Sequence, residues 1–311
     1  MKALRKNILI PFDFSDVSEN ALKHGLEIAR FIKGNVHLLF ILEAGDMIAK
    51  LFRNDNELIK LSIETKSKLD KLADRYRKET GVAIHTEVVS GKVYEEVLKM
   101  AEKINARFII LGDDHREKYS ENSLSSSATA IISRSEYPVI IAKGENTGVP
   151  KKIVVPLDLT KQTRYQVFNA IAFGIHYQAK IYLVSVVQGG INVLKSRIYS
   201  KLKKAQQTIL ENDVPCEIHV YERTDAPAYR KVLEYIKEVD ADMLLMMTHQ
   251  EGLKNDNYIG AFAYHIINES DIPVLALTDE AGEPDVTAVL KKIVDPIGIL
   301  FDRNAKTAKK D

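Results

Sequence analysis

Asp13 is the first residue whose position suggests chemistry. It closes the apolar run Ile8-Leu9-Ile10-Pro11-Phe12 and precedes a helical pattern. Its carboxylate would reach the crevice at the strand end and could accept a hydrogen bond from a ribose or adenine group. An Asp just before a helix is also a common capping residue, while Ser15 and Ser18 read as caps of the helix itself. A second group is Ser123-Leu124-Ser125-Ser126-Ser127. Phosphate binding needs several N–H donors converging on one point, and a helix start supplies them. The serine hydroxyls add to that set, but the same residues also make an ordinary helix cap. Asp113-Asp114-His115 has metal-ligand chemistry, and His249 lies in an equivalent loop further on. Three adjacent residues rarely converge on a metal without partners, and neither a cysteine nor a His-x-x-x-His pair accompanies them. No spacing suggests a Ser–His–Asp or Cys–His arrangement. Cys216, the only cysteine, stands before an expected strand and reads as buried and inert.

The elements that must position these residues occur twice. Ile8-Leu9-Ile10-Pro11-Phe12-Asp13 returns as Ile153-Val154-Val155-Pro156-Leu157-Asp158. Asn105-Ala106-Arg107-Phe108-Ile109-Ile110-Leu111 matches Asp240-Ala241-Asp242-Met243-Leu244-Leu245-Met246, and Tyr137-Pro138-Val139-Ile140-Ile141 matches Ile272-Pro273-Val274-Leu275-Ala276. The matches keep their order, so the chain is a duplicated domain. Pro11 to Pro156 is a step of 145 residues and Pro138 to Pro273 one of 135, so the second copy is ten residues shorter. The shortening is expected after the second strand, where the first copy carries the longer stretch 43–60. Within the first copy, apolar runs predict strands at 7–11, 36–42, 84–90, 107–111 and 139–142. Helical periodicity predicts helices at 18–33, 56–80 and 94–104, with another from about Ser126. Strands apolar on both faces, alternating with helices, predict a parallel sheet covered on both sides. A linker with two glycines and a proline, residues 144–150, separates the copies.

Bulk composition narrows the function classes. The chain has 311 residues, with 44 basic against 43 acidic side chains and a formal charge of +1. No global field favours nucleic acid or a membrane surface. No apolar run approaches the roughly 18–20 residues of a membrane helix, and the first residues lack the hydrophobic region of a signal peptide. A single cysteine fits a reducing compartment, so a cytoplasmic location is expected.

A strand ending Ile-Pro-Phe-Asp-Phe-Ser, then Gly91 before a helix, then Phe-Ile-Ile-Leu-Gly, then Tyr-Pro-Val-Ile-Ile, resembles the universal stress protein family. The resemblance spans roughly residues 4–143 and 150–278. It implies α/β domains at 1–144 and 150–279 with an extension at 280–311. Each domain would be an adenine-nucleotide-alpha-hydrolase-like (Rossmann-like) unit, a five-stranded parallel sheet with helices on both faces. Nucleotide-binding members hold ATP or AMP at the carboxyl ends of the strands, which agrees with the switch-point rule for open α/β sheets. Carried onto this sequence, the implied site is Pro11, Phe12, Asp13, Ile41, Gly112, His115, Ser125, Ser126 and Ser127. Ile41 also reads as plain core. The family loop of Gly, two residues, Gly, nine residues, then Gly with Ser or Thr falls on Gly112, His115, Ser125 and Ser126. One glycine of three survives here, together with the hydroxyl. The second copy has Met247, Gln250, Gly260 and Ala261 at these positions, followed by Phe262, so its site is expected to be degenerate. Its Asp158 is expected to cap the next helix.

The resemblance implies a binding and regulatory role in stress response, with adenine nucleotide held by the first domain and Mg2+ only alongside it. The alternatives are a scaffold with empty pockets and a weak ATP hydrolase. Family members commonly pair their last strands between subunits, so the two copies should pair 139–141 with 274–276 internally. A homodimer and an unidentified protein partner remain open. The tail carries an apolar helical stripe at Val286, Val289, Leu290, Ile293 and Val294, then the apolar run 296–301, and is expected to pack on a domain or a second subunit.

Overall fold

The computed structural model describes residues 6–43, 55–113, 125–144, 148–158, 163–187, 197–222, 225–248 and 259–277. The expected tail helix lies outside the described residues. The first half runs β1 (Asn7–Pro11), α1 (Asp16–Ile32), β2 (Asn35–Leu42), α2 (Asp55–Thr80), β3 (Ala83–Ser90), α3 (Val93–Lys103), β4 (Ala106–Gly112), α4 (Ser126–Arg134) and β5 (Val139–Ala142). The second half repeats the series: β6 (Lys152–Pro156), α5 (Arg164–Tyr177), β7 (Lys180–Val187), α6 (Arg197–Leu210), β8 (Cys216–Glu222), α7 (Ala228–Glu238), β9 (Met243–Met247), α8 (Ala261–Glu269) and β10 (Val274–Leu277). The shortening of the second copy is seen in the second helix, where α6 has 14 residues against 26 in α2.

All ten strands join one sheet in the order β3-β2-β1-β4-β5-β10-β9-β6-β7-β8. Each half is parallel throughout, and the halves meet at one antiparallel seam, with Val274 opposite Ile141, Leu275 opposite Ile140 and Ala276 opposite Val139. The expected pairing of the last strands is therefore present. It joins two apolar strands that would otherwise be bare edges, the kind of edge that invites aggregation.

Side chains alternate along each strand, so the sheet has two apolar faces. One face packs Ile8, Ile10 and Phe12 against Ala21, Leu22 and Leu69 of α1 and α2, and continues through Ile153 and Val155 to α5 and α6. The other packs Leu9, Ile109 and Ile141 under Val97 and Ile131 of α3 and α4, and continues to α7 and α8. Each core crosses the seam. Fully burying one Leu or Ile contributes roughly 1.5–3 kcal/mol, so shared apolar surface at the seam ties the halves together as well as the hydrogen bonds do.

This topology places a crevice in each half. The β1–β2 ladder runs to Pro11 opposite Leu39, but the β1–β4 ladder ends at Leu9 opposite Ile109. Beyond that point the two strands diverge. In the second half the β6–β9 ladder pairs only Ile153 with Met243 and Val154 with Leu244. Both splits lie at the carboxyl ends of the strands, where the topology reverses.

Candidate functional site

At the crevice of the first half, Asp13 follows β1 directly and its side chain is exposed. Its Oδ1 accepts from the Ser15 N–H at 3.0 Å and from the Ser15 hydroxyl at 2.6 Å. Among the described residues Oδ2 has no partner. Partial desolvation pushes the carboxyl pKa up, but the hydrogen bonds from Ser15 and Ser18 outweigh it and hold it below the usual carboxylate value. Asp13 is thus a preorganised anion-side acceptor rather than the N-cap. That role belongs to Ser15, whose Oγ accepts from the Ser18 N–H at 3.2 Å. Ser18, expected as a cap, lies inside α1, and its hydroxyl donates to the Ser15 carbonyl at 3.0 Å. The turn between strand and helix is made by Phe14 at φ 65, a left-handed conformation uncommon for a bulky residue. Its ring is 42% exposed and packs edge-on to Phe12 and tilted against Phe40.

Pro11 ends β1, and Phe12 is buried in the core beneath the crevice with its N–H bonded to the Leu39 carbonyl at 2.9 Å. Ile41, near the end of β2, is partly buried and packs on the α3–α4 side of the sheet. It therefore belongs to a core edge and also lines the strand ends. Gly112 ends β4. A Cβ there would collide with the carbonyl oxygen and side chain of Val17 in the first turn of α1. Close approach of helix to strand explains this glycine without any ligand. Ser125 is the N-cap of α4, with its Oγ accepting from Ala128 N–H at 3.1 Å. The N–H groups of Ser126 and Ser127 open the helix and have no acceptor among the described residues, as helix starts require. His115 lies outside the described residues, as do Asp114 and His249.

Asp113 does not face the crevice as an open ligand. Its carboxylate is held 2.8 Å from the Lys143 ammonium, and the two side chains are 8% and 0% exposed. Lys143 follows β5 and also donates to the carbonyl of Ile267 in α8. The candidate phosphate loop of one half is thereby tied to a helix of the other. Sequence reading missed Lys143, because a lysine after an edge-like strand reads as solvated.

The second crevice is built differently. Its helix α5 begins at Arg164 with Thr163 as N-cap, six residues after Asp158, whereas α1 begins three after Asp13. Asp158 is therefore not the cap that the sequence suggested. On β9 Met247 stands in the place of Gly112, and its buried side chain joins the core that α5 covers. Gln166, buried where the first half has Ala21, donates from Nε2 to the Pro156 carbonyl at 2.7 Å. A weaker contact reaches the Leu245 carbonyl at 3.5 Å. The glutamine thus bridges the diverging ends of β6 and β9. At the start of α8, Gly260 provides no side-chain cap, and Ala261 and Phe262 follow it. Cys216 is buried as expected, and burial raises its thiol pKa to about 12, which keeps it a thiol.

The fold and its strand-end crevices define a doubly wound α/β protein, duplicated in one chain. The Universal stress protein family model matches residues 4–143 and again 150–278, so the chain belongs to that family. It is similar to a universal stress protein of Methanocaldococcus jannaschii, 31% identical over 141 residues, which covers 45% of this chain and 83% of that protein. A second protein of that organism and description is 28% identical over 163 residues, covering 47% of this chain and all of the relative. Among solved structures, a universal stress protein from Archaeoglobus fulgidus superposes with a TM-score of 0.72 at 18% identity, over 88% of this chain and 98% of that one. That likeness establishes a shared fold across both halves. No helix among the described residues is long and apolar enough to cross a membrane.

Proposed function

We propose that this chain is a regulatory binding protein of the stress response that takes one adenine nucleotide, ATP or AMP, in the first-half crevice. It is not a dedicated enzyme on this reading. Pro11, Phe12, Asp13 and Ile41 would contact the nucleoside, and Gly112, His115, Ser125, Ser126 and Ser127 would surround the phosphates. Mg2+ would enter only with the nucleotide. The observation that carries this reading is the contrast between the crevices. Among the described residues the first leaves Oδ2 of Asp13 and the N–H groups of Ser126 and Ser127 without a partner. The second has the buried side chains of Gln166 and Met247 at the corresponding positions. Hydrogen bonds to charged groups contribute roughly 1.5–3 kcal/mol each. With only one of three loop glycines present, the site should therefore bind more weakly than an intact family loop.

Calorimetric titration of the full chain with ATP and with AMP tests this. One site per chain is expected, lost in Asp13→Ala and kept in Asp158→Ala. Two equivalent sites, or loss only in the Asp158 variant, would reject it. Absence of any uptake would leave the chain a scaffold.

A further inference from the structure

Away from both crevices, His37 of β2 and His85 of β3 are register partners on adjacent parallel strands. Their rings stack with centroids 4.6 Å apart and 28° between planes. Neither imidazole makes a hydrogen bond or ion pair to another described residue, whereas His265 is bonded to Glu269 at 2.9 Å. The pair lines a surface pocket whose apolar floor includes Leu9, Leu39 and Met100, with Glu87 at its rim. His37 is half-buried and His85 exposed, so the pocket has one inner and one outer imidazole.

We propose that His37 and His85 form a two-histidine site for a borderline-soft divalent transition-metal ion such as Zn2+, Ni2+ or Cu2+. Imidazole nitrogen suits these ions, whereas Mg2+ and Ca2+ prefer oxygen ligands. Two nitrogens at about 2.0–2.1 Å from one tetrahedral ion stand about 3.3 Å apart. Rings with centroids 4.6 Å apart reach that spacing by turning about χ2, a broad torsion in histidine. The eight-residue β2–β3 ladder fixes the two backbones, so little order is lost on chelation. Glu87 is held by Lys103 at 2.8 Å, and no three His, Cys, Asp or Glu side chains converge among the described residues. Water completes the coordination. The matching register positions of the second half hold Tyr182 and Glu217, with Glu217 bound to Lys180 at 2.6 Å. That half lacks the site.

Titration of the full chain with ZnCl2 at neutral pH, followed by calorimetry, tests the proposal. One equivalent of Zn2+ per chain is expected at the pair. Either His37→Ala or His85→Ala should weaken it at least about tenfold, because one donor of a chelate is lost, and the double variant, with no imidazole left at the pair, should show no uptake there. His85 is exposed, so His85→Ala tests the site without opening the core, and circular dichroism checks the fold of both variants. With Cu2+ as probe, the electron paramagnetic resonance signal should show two coupled nitrogens, reduced in each variant. An unchanged isotherm in His85→Ala, or no uptake by the native chain at millimolar Zn2+, would overturn the site.

Discussion

The two crevices differ in the side chains at their strand ends, Gly112 and Ala21 in the first half against the buried Met247 and Gln166 in the second. In the first half Gly112 lets the first turn of α1 lie against β4, and that turn brings Ser15 to Asp13. In the second half Met247 stands at that strand position and the helix starts later, at Arg164. Gln166 then bridges the split between β6 and β9. A glycine at the strand end therefore acts here first on helix placement and only then on ligand access. The comparison also shows what crosses the seam, since Asp113 beside the first crevice is neutralised by a lysine that binds a helix of the second half.

Lys143→Met should produce the largest effect on this asymmetry. It leaves the Asp113 carboxylate buried without its cation, and breaking such a pair costs about 3–5 kcal/mol. Urea denaturation would measure the loss. The second half has Thr248 and Thr278 at these positions, so the double variant Asp113→Thr/Lys143→Thr should recover a large part of it.

The next effect is an acid one. His24 in α1 is buried with Nε2 unpartnered, and burial lowers its pKa from 6.5 to about 4. Above pH 6.5 it is neutral in both folded and unfolded chains and contributes no slope. Between pH 6.5 and about 4 the unfolded chain takes up the proton and the folded chain does not. Stability falls through that window by about 3 kcal/mol for this one group. Asn169 occupies the matching buried position in α5, so His24→Asn should flatten the acid slope while the stability at pH 8 changes less. Chemical denaturation across pH 4–8 would show it.

Gly112→Ala should cost about 1–3 kcal/mol, because the added methyl meets backbone that cannot retreat without moving α1, and it should weaken nucleotide uptake by displacing Ser15 and Asp13. Thermal unfolding and the ATP titration would report the two effects together. Loss of affinity without loss of stability would show that the glycine faces the ligand instead of the helix. The smallest effect is at the caps. Ser125→Ala should cost about 1 kcal/mol, and Gly260→Ser in the second half should stabilise α8 by a few tenths, both measurable by urea titration.

Most of the fold was legible in the chain before any coordinates. The β5–β10 seam was expected because the family resemblance implies pairing of the last strands, here the short apolar Val139–Ala142 and Val274–Leu277. Asp13 was found because it closes an apolar run, and of the two serines read as caps of the next helix Ser15 is the N-cap, while Ser18 lies inside it. Gln166 was harder to find. It follows the polar run from Thr160 to Arg164 and reads as one more exposed residue, and only its alignment with Ala21 in the first half could have marked it. The His37–His85 pair left no local trace, since the two residues belong to different strands and only the register of the ladder makes them neighbours.

By itself the sequence determined the duplication, the order of strands and helices, and the residues that stand at the ends of β1 and β4. These follow from periodicities of two and 3.6 and from glycine and proline punctuation, which act over a few residues. The tertiary structure alone decided that Lys143 is buried between Asp113 and a carbonyl 124 residues away, that Gln166 bridges the ends of β6 and β9, and that two histidines share a pocket. Those outcomes depend on which side chains compete for the same space across a folded sheet. That competition is set by distance in three dimensions, and the local pattern of a chain does not encode it.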